Sequence, residues 1–313
     1  MRIIFRDSHF FISFLCAIMK PALTRLHIAV FLWGFTGVLG RLITLNEGWL
    51  VWWRLCITAI SLWLFYFASG KIQKIKAWDF IKIGLIGSLL ALHWLCFYGS
   101  IKYSNVSIAL TCLATSGLFS AILEPAILRQ RIKPFELILG LLALIGIGII
   151  YFTNLHFSVG INIGLCATVF TVIVSVLNKK IVGNYLPETI TLYQLSGGFI
   201  GLTFIMPLYH YLFPTEIIFP VHLDWLWLLF LSWGCTILTF MLYISALKKL
   251  SAFTINLTLT LEPVYGILLA FIIFHENEFL SPYFYAGFTL ILVAVFLQMK
   301  KLVKESKALE MAT

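Results

Sequence analysis

The sequence predicts an all-α, polytopic membrane protein of about ten transmembrane helices, built as two inverted five-helix repeats. Of its 313 residues, 61% are hydrophobic and 11% are charged, whereas soluble domains are about 45–50% apolar and about 25% charged. The apolar residues form windows of roughly 20 residues, the length that an α-helix needs to cross a hydrocarbon layer of ~30 Å. The placement of basic loops and a weak internal repeat support the same fold class.

Ten apolar stretches are long enough to act as transmembrane spans. The residues before them, 1–25, are interpreted as an N-terminal cytoplasmic extension, and 301–313 as a basic cytoplasmic tail. The apolar run near the start is too short to span and lacks a small-residue cleavage site, so we interpret it as dispensable or as the product of an upstream start codon. The spans are expected at 26–45, 49–68, 78–99, 105–128, 135–153, 161–178, 188–208, 225–247, 251–274 and 282–300.

Basic residues follow every even-numbered span and are nearly absent after the odd-numbered ones. Because loops rich in Lys and Arg stay in the cytoplasm, this alternation predicts an inner-membrane protein with both termini cytoplasmic. It also accounts for the net charge of +9 without a nucleic-acid partner. The clusters are Lys71, Lys74 and Lys76; Arg129, Arg131 and Lys133; Lys179 and Lys180; Lys248 and Lys249; and Lys300, Lys301, Lys304 and Lys307.

The two halves of the chain resemble each other weakly. YGSIKYSNVSIAL, which begins at Tyr98, matches YISALKKLSAFTI, which begins at Tyr243, and both start with Tyr-x-Ser. Because each repeat holds an odd number of spans, the second repeat must enter the membrane inverted. Inverted repeats are typical of secondary transporters that bind substrate near the midplane, between the halves. The predicted repeats are 26–154 and 155–300.

Glu262 lies near the centre of span 9, where a charge costs ~2.5–3.5 kcal/mol and should face protein or water rather than lipid. At 100° per residue, Thr258, Glu262 and Tyr265 lie on one stripe that could line a cavity. Pro263 cannot donate a backbone hydrogen bond, so we expect a kink and a freed carbonyl group. The pair is either a hydrated binding site with a hinge, or a structural kink with a protonated glutamic acid bonded to a neighbouring helix.

A second Glu-Pro pair, Glu124-Pro125, has a different setting. The repeat alignment places Glu262 opposite Gly117, so the two pairs are not equivalent. Glu124 lies about one turn from the cytoplasmic end of span 4, with Arg129 and Arg131 close by in sequence. We interpret it as a gate or a helix-end ion pair with a basic residue. Direct substrate contact is the alternative.

Arg54 is the other costly residue, because it lies within span 2 beside tryptophans. Arginine at such a depth needs a carboxylate, backbone carbonyl groups or a route to the interface. A structural clamp and an anchor for a substrate carboxylate are both compatible with the sequence. If Arg54 and Glu262 both face the cavity, a zwitterionic amino acid would fit.

Further polar candidates lie on spans 3 and 7. His93, Trp94 and Tyr98 could line the same cavity, although a histidine beside aromatic residues can equally be a hydrogen-bonded packing residue. Gln194 on span 7 is a comparable candidate. The six cysteines show no CxxC spacing and the seven histidines no HxxxH or HExxH spacing, so we expect neither a metal nor a cofactor.

Several of these residues also carry a family resemblance, which covers residues 25–300. LWGFTGVLGRL at 32–42, the arginine of WWRL at 52–55, Tyr98 and Tyr243 at the heads of their repeats, and the Pro263 helix ending near Glu276 are similar to EamA-type, ten-helix members of the drug/metabolite transporter superfamily. The resemblance implies export of amino acids or related metabolites, and it adds Trp33 and Tyr243 to the candidate site. The first repeat departs from the family pattern, with Gly117–Leu118 in place of the usual proline and Arg131 in place of the closing glutamate.

Together these features predict a secondary transporter that moves small polar metabolites by alternating access. We expect a small-molecule substrate and membrane lipid as partners. The chain has no Walker loop, so ATP-driven transport is not expected without partners. Proton coupling through Glu262, uncoupled exchange and a homodimer all remain open, and an integral-membrane enzyme or a channel is the alternative class.

Overall fold

The computed structural model describes residues 4–70, 72–247, 258–259 and 261–310, except for the side chains of 4–20, 187, 244–245, 247, 299 and 302–310. The described chain is helical and contains no β-strand. Eight helical stretches in it are long and apolar enough to cross a membrane. Two shorter apolar helices, Glu262–Phe274 and Pro282–Gln298, occupy the predicted spans 9 and 10. The all-α, polytopic fold class is confirmed.

The helix boundaries agree with the predicted spans to within a few residues in most of the chain. The predicted start of span 9, 251–257, lies outside the described residues, and the last helix continues to Glu310, through most of the predicted tail 301–313. The other exception is at the N-terminus. There the first helix begins at Ile4, so residues 4–20 continue the helix of span 1 rather than forming a separate segment. In chain order the helices are α1 Ile4–Leu42, α2 Glu47–Ala68, α3 Ala77–Tyr103, α4 Val106–Ala114, α5 Ser116–Leu128, α6 Pro134–Thr153, α7 Ser158–Ile181, α8 Pro187–Leu212, α9 Asp224–Leu229, α10 Thr239–Leu247, α11 Glu262–Phe274 and α12 Pro282–Glu310. A π-helical segment, Phe230–Leu238, joins α9 to α10 within span 8.

Spans 4 and 9 are interrupted near their centres. In span 4 the amide of Thr115, between α4 and α5, donates to the carbonyl of Cys112 at 3.1 Å, and in span 9 the amide of Leu261 donates to Thr258 at 3.1 Å. Each bond closes a turn of four residues, in which the donor and the acceptor are three positions apart. The helices that follow, α5 and α11, both have 13 residues. Both end at a non-glycine residue in the left-handed region, Arg129 with φ 56° and His275 with φ 53°.

These equivalent interruptions are the structural counterpart of the weak sequence repeat. The helices that follow the two interruptions begin at Ser116 in α5 and at Glu262 in α11, and these two residues correspond. The sequence alignment of Glu262 with Gly117 is therefore wrong by one residue. The expected kink at Pro263 stays a prediction, because residues 248–257 and 260, on the N-terminal side of the interruption, lie outside the described residues. Pro263 lies in the first turn of α11, where the backbone amides have no intrahelical acceptor and a proline therefore removes no helix bond.

The two halves are interleaved, so that helices of one half pack directly against helices of the other. Helix α3 packs against α7 and α8, α1 packs against α10 and α11, and α6 packs against α12. Small residues allow the closest approaches. A Cβ atom on Gly34 of α1 would lie 2.9 Å from the amide nitrogen of Gly266 and 3.0 Å from the carbonyl oxygen of Glu262. This contact holds α1 against the start of α11, where Glu262 lies.

Candidate functional site

Arg54 is the centre of a buried polar cluster between spans 2, 3 and 8. Its residue exposure is 3%. Its Nε and Nη2 atoms both donate to the hydroxyl of Thr236, at 3.1 and 3.0 Å, and Nη1 donates to the hydroxyl of Tyr98 at 2.9 Å. The guanidinium carbon lies 3.7 Å from the centroid of the Trp94 ring, a cation–π distance. The structure therefore brings together the predicted residues Arg54, Trp94 and Tyr98, and it adds Thr236, which the sequence analysis did not identify.

Trp33 and Tyr243 form a neighbouring cluster one turn further along span 8. The indole nitrogen of Trp33 donates to the hydroxyl of Thr239 at 2.9 Å, and its ring centroid lies 5.4 Å from that of Tyr243. Both rings and that of Tyr265 pack against the same small set of buried side chains from α1 and α10. Thr236 and Thr239 thus present hydroxyl acceptors to spans 2 and 1 from adjacent turns of span 8.

Glu262 is half-buried at the first position of α11. Within the described part of the chain its carboxylate makes no hydrogen bond or ion pair, and it forms none with Arg54. Thr258, on its predicted stripe, is buried with 3% exposure. The hydroxyl of Tyr265, one turn later, lies 3.4 Å from Nδ1 of His27. An intramembrane carboxylate should face the protein interior or water rather than lipid.

His93 and Gln194 lie where span 3 packs against spans 6 and 7. Nδ1 of His93 lies 2.8 Å from the carbonyl oxygen of Ala167, and because a carbonyl can only accept, this nitrogen carries the hydrogen. The His93 ring also stacks on Phe97. Gln194 is 4% exposed, and its side-chain amide makes no hydrogen bond with any residue that the structure describes. The geometry of His93 is that of a packing residue, and the role of Gln194 stays a prediction.

Glu124 pairs with a basic residue, but not with one from its own loop. Lys179, near the end of α7, places its Nζ atom 2.7 Å from Oε1 of Glu124, and the hydroxyl of Ser120 donates to Oε2 at 3.2 Å. Pro125 lies inside α5, and its carbonyl accepts from the amide of Gln130 at 2.9 Å. The pair joins the two halves at the end of the bundle that carries the basic loops, called here the basic end.

The opposite end is held by a glutamate whose role the sequence reading missed. Glu276 is 3% exposed and accepts from the amides of Val106 at 3.0 Å and Ser107 at 2.8 Å, and from the Ser107 hydroxyl at 2.6 Å. Arg41 donates to the same carboxylate and stacks over Phe274. Glu276 thus caps the first turn of α4 and joins the loop after span 9 to spans 1 and 4. We call Glu276, Arg41, Val106 and Ser107 the Glu276 latch.

A second link lies at the same end as the latch. Both carboxylate oxygens of Asp224, at the start of α9, accept from Thr44, one from its amide at 2.9 Å and one from its hydroxyl at 2.5 Å. The hydroxyl of Tyr209 donates to Glu47 at 2.8 Å. Each bond joins a residue of the first half to one of the second. The partners are more than 160 residues apart, so no local pattern signals them.

Comparison with known proteins agrees with this architecture. The profile of the EamA-like transporter family matches residues 21–152 and again 158–299, so the family unit occurs twice, once in each half. A solved structure described only as "Crystal structure of protein" aligns with a TM-score of 0.59 at 17% identity, over 87% of this chain and 95% of that chain, which supports the fold. No curated protein matches the sequence. The family match covers nearly the whole chain, and the protein therefore belongs to the EamA-like transporter family.

Proposed function

We propose that this protein is a secondary transporter that exports a small polar metabolite, an amino acid or a related compound, by alternating access. The observation that carries the proposal is the pair of equivalent interruptions in spans 4 and 9, with the half-buried carboxylate of Glu262, which has no bonded partner among the described residues, at one of them. In transporters with inverted repeats, discontinuous helices form the substrate site near the midplane. Rocking of the two halves would then expose this site to each side in turn.

The charges of the site favour a zwitterionic substrate. Glu262 would receive an amino group or a proton, and Arg54 would receive a carboxylate. Both groups are costly within a membrane, and neither forms an ion pair with a described residue, so each gains from a ligand of opposite charge.

The orientation is part of the proposal. In the sequence, basic clusters follow the even-numbered spans, and one of their described members, Lys179, lies at the basic end. By the positive-inside rule that end faces the cytoplasm of the inner membrane, with both termini. The Glu276 latch then lies on the outer side, and the Glu124–Lys179 pair on the cytoplasmic side.

Counterflow tests the proposal. Purified protein is reconstituted into liposomes preloaded with one unlabelled amino acid, and uptake of the labelled form is followed over a panel of amino acids and their decarboxylated amines. A carrier shows saturable uptake that internal substrate accelerates, whereas a channel gives unsaturable flux and an enzyme converts the label. Heat-denatured protein in matched liposomes is the control. Absence of accelerated uptake across the whole panel would contradict the proposal.

A further inference from the structure

The buried guanidinium of Arg54 is held only by neutral acceptors. Thr236 and Tyr98 supply them, and no Asp or Glu among the described residues lies within ion-pair distance of it. The stretch 248–257, outside the described residues, contains no acidic residue in the sequence. A buried cation without a counter-charge is strongly unfavourable. The site therefore favours any anion that can reach it.

The hydroxyl of Thr236 occupies the edge of Arg54 that carboxylates prefer. Nε and Nη2 form the fork that binds the two oxygens of a carboxylate in parallel. Here both nitrogens share one neutral oxygen, at 3.1 and 3.0 Å. A single shared hydroxyl satisfies this fork less well than a carboxylate, so the bond can be exchanged for a better one.

Thr236 is positioned by an unusual backbone. It lies in the nine-residue π-helical segment Phe230–Leu238, and its hydroxyl donates to the carbonyl of Leu231, five residues back, at 2.8 Å. Ser232 of the same segment donates to the carbonyl of Arg54 at 3.2 Å. The corresponding span of the first repeat, α3, is α-helical from Ala77 to Tyr103. π-Helical turns are rare and occur frequently at functional sites.

We propose that Thr236 is a positioning residue that fills the carboxylate fork of Arg54 when no substrate is bound, and that a substrate carboxylate displaces it. This inference rests on the proposed function and narrows its substrate class to carboxylates. Because the free state keeps the Arg54–Thr236 bonds and the bound state loses them, Thr236 weakens substrate binding and speeds release. Removal of Thr236 should therefore strengthen substrate binding, whereas removal of a residue with a purely structural role would weaken it.

The test is the isosteric substitution Thr236→Val, with unfolding of the purified protein followed in sodium formate and in sodium chloride at equal ionic strength. Formate is the smallest carboxylate probe. Without the hydroxyl the fork of Arg54 is unfilled, so formate no longer has to displace Thr236. The formate concentration that gives half-maximal thermal stabilisation should therefore fall about tenfold, because the displaced contact is a hydrogen bond to a charged group. Thr236→Ser should restore the wild-type midpoint. If Thr236→Val does not fold, Thr236→Ala makes the same prediction.

Thr58→Val is the matched control. Thr58 lies one turn after Arg54 on α2 and is fully buried, and its hydroxyl has no partner among the described residues, so its removal should leave the formate midpoint unchanged. Arg54→Lys, which lacks the fork, should abolish the response. A formate midpoint for Thr236→Val equal to or above that of wild type would overturn the inference. This readout is independent of counterflow: failed counterflow with a lowered midpoint would refute the transport proposal alone.

Discussion

Replacement of Glu262 by glutamine is expected to reduce carrier-mediated flux at least about tenfold, a loss of ~1.4 kcal/mol or more, without lowering the melting temperature. Glutamine has nearly the same shape as glutamate but can neither attract an amino group by charge nor carry a proton. The carboxylate makes no bond with any described residue, so the substitution breaks none of the stabilising contacts among those residues. The unfavourable burial of an unpartnered charge is relieved instead. The measurements are counterflow in proteoliposomes and thermal unfolding in detergent.

The second Glu-Pro pair offers the matched control. Glu124→Gln weakens the contact with Lys179, which is half-exposed at the basic end, and such pairs contribute little, about 0–1 kcal/mol. We expect this variant to retain most of the flux. Normal counterflow in Glu262→Gln, or equal losses in both variants, would remove Glu262 from the transport mechanism.

Replacement of Glu276 by alanine should produce the largest loss of stability. The substitution removes the acceptor for two backbone amides of α4, for the Ser107 hydroxyl and for Arg41. Breaking a buried charged network costs roughly 3–5 kcal/mol. Because the side chain of Arg41 is 43% exposed and can be solvated once released, we expect the lower end of that range, about 3 kcal/mol. Thermal unfolding of the purified protein measures it.

Glu278 provides the comparison for Glu276 within the same short turn. Its side chain is 63% exposed and lies 3.7 Å from Nδ1 of His275, a surface contact of the kind that contributes little. Glu278→Ala should therefore leave the melting temperature nearly unchanged. Similar melting temperatures for the two alanine variants would show that the Glu276 latch does not hold together the end of the bundle opposite the basic end.

The fold could be predicted from sequence because its determinants are local. Hydropathy over ~20 residues identifies a span wherever it lies, and the repeat was visible in the two Tyr-x-Ser segments. The interruption of span 9 was harder to locate. Pro263 has the same sequence signature in a kink as in the first turn of a new helix, and only the position of the helix start distinguishes them.

The polar site was predicted in part. Arg54, Trp94 and Tyr98 were found because a charge or an aromatic cluster within an apolar span is unusual in itself. Thr236 was missed because threonine is common in transmembrane helices and becomes informative only beside the guanidinium. Glu276 was missed because the loop HENEFLS reads as exposed, and its partners at Arg41 and Ser107 are brought to it by the packing of spans 1 and 4.

The central claim is that Glu262 faces a hydrated cavity that opens to one side of the membrane at a time. The most direct test is Glu262→Cys in a background without the native cysteines, labelled from each side with a membrane-impermeant maleimide. Leu268→Cys, on α11 and 52% exposed on the outside of the bundle, is the lipid-facing control. Glu262→Cys should react, with substrate protecting it, and Glu276→Ala should increase its labelling from the outer side. Labelling no greater than that of Leu268→Cys from either side would contradict the claim.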